Sequence, residues 1–88
     1  MRINKSFILR QVAGIWVVLP LGAASVDFNG MLTLNESGAF LWKQLEEGAN
    51  REDLIAAVLR EYEVSHDVAL ADVDEFLDKL RSTGCLEN

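Results

Sequence analysis

At 88 residues, half of them hydrophobic, the chain has enough material for one packed core, so residues 1–88 are expected to form a single domain. Its net charge of −6 is unevenly placed: residues 1–34 carry Arg2, Lys5 and Arg10 against Asp27, whereas residues 35–88 carry 13 acids against 5 bases. Such an acidic half repels phosphate backbones, no apolar run approaches the roughly 20 residues of a membrane span, and a single cysteine excludes an internal disulfide.

The lone Cys85 points to a reduced, cytoplasmic setting. The apolar stretch from Ile15 to Ala24 starts late and is broken by Pro20 and Gly22, so it does not read as a secretory signal.

Taken in chain order, Phe7 to Ala13 reads as a strand, with Phe7 and Leu9 on one face and Ile8, Arg10 and Val12 on the other. Gly14 interrupts it, and Ile15-Trp16-Val17-Val18-Leu19 returns as a β-branched, aromatic strand. Ala13-Gly14 is the expected turn of this hairpin, and Pro20 ends the second strand or puts it at an edge. Ser25 to Phe28 and Met31 to Leu34 flank Asn29-Gly30, a dipeptide suited to the two positive φ angles of a tight hairpin turn. A small antiparallel sheet of three strands is expected, with an extra short segment over residues 25–28.

Three helices follow. The first is expected from Glu36 to Glu47, capped by Asn35, burying Phe40, Leu41 and Leu45 and stopping at Gly48. Gly38 is costly within a helix, so its place in the first turn predicts close packing there. The second has Asn50 as its cap and an apolar stripe of Leu54, Ile55, Val58, Leu59 and Tyr62. The third starts near Ser65, gathers Ala69, Leu70, Val73, Phe76, Leu77 and Leu80 on one face, and ends at Gly84. Strands followed by helices make an α+β fold, and the second and third helices with a sheet attached are winged helix-turn-helix-like.

Catalytic chemistry has little to stand on. His66 is the only histidine and reads as an exposed first-turn residue, while Cys85 reads as a small apolar filler. These two cannot supply the three or four ligands of a metal site, nor a nucleophile with its base. Asp72, Asp74, Glu75 and Asp78 crowd one helix and read as a solvated face, with an acidic rim that selects a basic ligand as the sharper alternative. A recognition helix for DNA offers cations, but here only Lys79 and Arg81 stand beyond five acids from Asp67 to Asp78. Nucleic acid is therefore not an expected partner.

Met31 to Leu34 is short, apolar and uncharged, with neither Pro nor Lys to blunt an edge. An edge there, beside the third helix, would accept an extended peptide as a further strand. The plainer alternatives are sheet interior or a dimer contact.

Several segments together resemble the PqqD family, the free-standing recognition element for precursors of ribosomally made, modified peptides. They are Phe7-Ile8-Leu9-Arg10, Trp16-Val17-Val18-Leu19-Pro20, Gly30-Met31-Leu32-Thr33-Leu34-Asn35-Glu36-Ser37-Gly38-Ala39, Tyr62, and Asp72 to Leu80 leading to Gly84-Cys85-Leu86. The Leu-Asn-Glu-Ser-Gly element at the strand-to-helix junction is the most specific of these. The resemblance implies a non-catalytic peptide chaperone without a cofactor of its own. It implies that a leader peptide adds as a strand beside Met31, Leu32, Thr33 and Leu34. On the helix side it implies contacts among Ala69, Leu70, Asp72, Val73, Phe76 and Leu77. It also implies delivery to a modifying enzyme, often a radical SAM maturase with its own iron–sulfur clusters. The apolar edge itself permits pairing between two copies, so a monomer or a homodimer is expected. The competing functional readings are a transcription-associated winged helix and, less well supported, a small enzyme whose site a partner completes.

Overall fold

The computed structural model describes residues 1–22 and 32–87. Met31, the segment 25–28 and the Asn29-Gly30 turn lie outside the described residues. Within them the order is β1 (Arg2–Ile3), β2 (Phe7–Val12), β3 (Ile15–Pro20), β4 (Leu32–Leu34), α1 (Glu36–Glu46), α2 (Arg51–Glu61), α3 (His66–Thr83) and β5 (Leu86–Glu87). This is an α+β architecture: an antiparallel sheet ordered β2-β3-β4, then three helices.

Local chemistry sets the hairpin. Val12 pairs with Ile15, leaving a two-residue turn in which Ala13 (φ 51°) and Gly14 (φ 82°) both take positive φ. That combination gives the turn the twist of the flanking strands. The register puts Phe7, Leu9, Trp16, Val18, Leu32 and Leu34 on one face, because Phe7 faces Pro20, Leu9 faces Val18, and Trp16 and Val18 face Leu34 and Leu32. Those side chains pack against the helices; Val18 is 1% exposed and is joined in the core by Trp42, Leu45, Leu54, Val73 and Leu80. The hairpin tip points away from this core, with Val12 and Ile15 both more than half exposed.

Each helix begins at the cap expected from its sequence. Asn35 Oδ1 accepts from the Gly38 N–H at 2.8 Å, Asn50 and Asp53 exchange the two bonds of a capping box, and Ser65 Oγ accepts from the Val68 N–H at 3.2 Å. Gly48 (φ 90°) and Gly84 (φ 77°) follow α1 and α3 in the left-handed conformation that ends helices.

Two expectations need correction. In α1 the fully buried aromatic is Trp42, whereas Phe40 is half-buried and meets the Tyr62 ring edge-on at 5.7 Å. Gly38, Leu41, Trp42 and Leu45 are spaced i, i+3, i+4 and i+7, so the buried stripe runs one position away from Phe40. In α2 the stripe is narrower than expected, and Leu59 stays 37% exposed.

An element without a sequence signal closes the fold. β1 pairs antiparallel with β5, Arg2 opposite Glu87 and Ile3 opposite Leu86. The Asn4 N–H donates to the Cys85 carbonyl at 2.8 Å, and the Ala49 N–H donates to the Met1 carbonyl at 2.9 Å. Cys85 is fully buried beside this ribbon, and burial pushes its thiol above the ordinary value of 9.0, against the opposing hydrogen bond from Thr83. Among the described residues no helix is long and apolar enough to cross a membrane.

Candidate peptide-binding groove

β4 has a strand neighbour on one side only among the described residues, namely β3. Leu32 and Leu34 turn inward, while Thr33 is exposed on the opposite face beside Val17. A strand with one unpaired edge retains backbone donors and acceptors that another chain can use.

Where β4 runs into α1 the surface opens into a cavity of about 330 Å³. Leu34, Asn35, Ser37 and Gly38 form the wall on the strand-to-helix junction. Leu41 and Val58 lie at its base, and Tyr62 and Val64 close the end where α2 passes into α3. The opposite wall is one face of α3, carrying Asp72, Glu75, Phe76 and Lys79 at helical spacing. An apolar base under a polar rim is the usual composition of a binding cleft.

The junction is tightly built. The Asn35 carboxamide accepts from both the Gly38 N–H (2.8 Å) and the Ser37 hydroxyl (3.0 Å), which fixes the entry angle of α1. Gly38 is closely packed, since an added Cβ would stand 3.2 Å from Leu34 Cβ and 3.1 Å from Asn35 Oδ1, so that one of these neighbours would have to shift. Trp16 joins β3 to α1: its indole N–H donates to Glu36 Oε1 at 3.3 Å, and Lys43 Nζ lies 4.6 Å above its ring.

The expected site residues do not share one place: Leu32 is buried in the core and Thr33 is exposed on the opposite face of β4, and neither lines the cavity. Leu34, Asp72 and Phe76 come together around the cavity. Ala69, Val73 and Leu77, at 0–1% exposure, belong to the core and do not line the cavity, as expected for the centre of the apolar stripe. Leu70 faces a separate depression between α2 and α3, with Ile55, Leu59 and His66. Met31 lies outside the described residues. Sequence reading missed Asn35, Gly38, Tyr62, Glu75 and Lys79 as wall residues; the signal for the last two was their spacing from Asp72 and Phe76. Among the described residues no group of three or more His, Cys, Asp or Glu is placed to hold a metal ion.

Comparison with solved structures places this architecture among peptide-bound relatives. The structure described as TbiB1 in complex with the TbiA(beta) leader peptide superposes with a TM-score of 0.78 at 26% identity, over 100% of this chain and 96% of that one. A lasso peptide synthetase B1 complexed with the leader peptide matches in fold, with a TM-score of 0.75 at 22% identity over 99% of this chain and 96% of that one. A search of curated proteins finds no match. Residues 16–86, from β3 through β5, match the family described as Coenzyme PQQ synthesis protein D (PqqD), and the chain belongs to that family.

Proposed function

We propose that this protein is a non-catalytic chaperone for a ribosomally made precursor peptide, acting as one recognition domain over residues 1–88. It holds the leader segment as a strand added to β4, with leader side chains entering the cavity against α3, and presents the precursor to a modifying enzyme. A radical SAM maturase is the proposed enzyme class, the cytoplasm the proposed compartment, and a monomer or homodimer the acting form.

The observation that carries this reading is the position of the cavity. It lies at the end of β4, so a peptide bonded to that edge would run past an apolar base at Leu41 and Val58 and a helical wall at Asp72 and Phe76. Backbone pairing would supply affinity independent of sequence, and the cavity would supply selection. The leader-peptide complexes among the structural relatives support the same use of the fold. A duplex-binding role gains no support, because Asp72 and Glu75 face outward from α3 where a recognition helix carries cations.

The test is to titrate isotopically labelled protein with the leader of the precursor peptide encoded nearest to its gene. Amide shifts concentrated at Leu32 to Leu34 and on the Asp72 to Lys79 face of α3 are expected. Saturating binding that leaves those amides unmoved would overturn the strand-addition reading.

A further inference from the structure

The four acids on the central and C-terminal turns of α3 are not equivalent. Asp74 is held by Arg51 through two parallel hydrogen bonds of 2.7 and 2.9 Å, and Asp78 lies 3.6 Å from Arg81. Both belong to the part of α3 that does not line the cavity. Asp72 and Glu75 do line it, both are exposed, and neither has an ion-pair partner among the described residues. Lys79 stands one turn beyond Glu75 on the same wall without closing an ion pair to it. Arg51 and Arg81 thus pair with Asp74 and Asp78 on this stretch of α3, while Asp72 and Glu75, which line the groove, are left unmatched.

We infer that the groove selects a leader in which a lysine or arginine lies next to the large apolar residue that fills the cavity. This deepens the leader-binding reading and rests on it. A long basic side chain suits the site because its aliphatic stem can lie along Tyr62 and Phe76 while its charged head stays at the wet rim beside Asp72 and Glu75. Arginine suits it best, since a planar guanidinium can stack on the Tyr62 ring and engage a carboxylate with two donors. The Tyr62 ring is itself braced edge-on by Phe40. An acidic leader would meet two unmatched carboxylates in the same place, so the rim also rejects the wrong peptide.

The experiment is a selection of phage-displayed random peptides on the whole chain, followed by synthesis of the recovered sequences and amide-shift mapping of each. Peptides that shift Leu32 to Leu34 are expected to carry Lys or Arg beside a large apolar residue. The double variant Asp72→Lys/Glu75→Lys is expected to bind them about tenfold more weakly at low salt, with the loss shrinking as salt is raised. Asp78→Lys, outside the groove, should bind as the parent does. Peptides that shift β4 yet show no basic preference, or bind the double variant as tightly as the parent, would overturn this inference and leave leader binding standing. Recovery of no peptide that shifts β4 would overturn both. All substituted positions are exposed, and circular dichroism checks that each variant keeps its helices.

Discussion

Gly38 lies so close to Leu34 that a methyl group on Gly38 would stand 3.2 Å from the Leu34 Cβ and 3.1 Å from the Asn35 side-chain oxygen. The two residues sit on either side of the N-cap, and both line the cavity. Tight packing here fixes how the end of β4 is aimed relative to α1.

The first prediction follows from that contact. Alanine is favoured over glycine within a helix by about 1 kcal/mol, so propensity alone would have Gly38→Ala stabilise the protein. The crowding opposes this, because either Leu34 or the capping carboxamide must move. Gly38→Ala is expected to be no more stable than the parent in urea unfolding, and to bind leader peptide more weakly. Asn35→Ala, which removes the cap, is expected to cost about 1 kcal/mol. A clear gain in stability for Gly38→Ala would show that the junction is looser than its geometry indicates.

The second prediction concerns the hairpin turn, whose residues do not line the cavity. Ala13 takes φ 51°, a left-handed conformation that a Cβ disfavours and that asparagine tolerates better than alanine. Ala13→Asn is expected to raise stability by about 0.5–1 kcal/mol, read from the urea midpoint at unchanged slope. Peptide affinity should not change, and a loss of affinity would indicate that the hairpin tip contributes to binding.

These two sites also mark what the sequence made legible. The Asn35 cap, the Ala13-Gly14 turn and the helix ends at Gly48 and Gly84 are decided within a few residues, so pattern and propensity find them. The β1–β5 ribbon is different: Arg2 and Ile3 have no periodicity to read, and their partners lie at the other end of the chain. The groove falls between these cases. The apolar arc of α3 identified Val73 and Leu77, but the centre of such an arc is core, and a groove forms at its flank. Glu75 and Lys79 therefore read as an ordinary solvated face until α3 is set opposite Leu34. Tyr62 had the right helical phase, but only the edge-on contact with Phe40 shows what orients it.

The third prediction concerns Trp42, which is fully buried and whose indole N–H has no acceptor among the described residues. An unsatisfied buried donor costs about 1–3 kcal/mol, whereas truncating a large aromatic side chain to alanine typically costs about 3–5 kcal/mol. Trp42→Phe removes the unmatched donor at the expense of a small void, and the two effects oppose each other. It is expected to stay within about 1 kcal/mol of the parent, while Trp42→Ala loses most of the stability of so small a domain. A large loss for Trp42→Phe would mean that the indole N–H is satisfied in solution.

The fourth prediction is a pH dependence. The Arg51 guanidinium, chiefly through its hydrogen bonds and opposed in part by desolvation, holds the Asp74 carboxyl below its ordinary value of 3.8. Because the folded value is the lower one, the native state binds fewer protons than the unfolded state between the two values, so stability rises with pH across that window. The contribution is complete above the ordinary value and is lost as pH falls through the folded one. Asp74→Asn keeps a hydrogen-bond acceptor for Arg51 but cannot titrate, so its stability should fall less steeply than the parent's below about pH 4. The pair is exposed, so the difference should be modest and should shrink in high salt. Parallel acid limbs for parent and variant, measured by urea unfolding at a series of pH values, would mean that Asp74 and Arg51 do not remain paired in solution. In that case Arg51 would be free to move, and the contrast between matched and unmatched acids on α3 would lose one of its two supports.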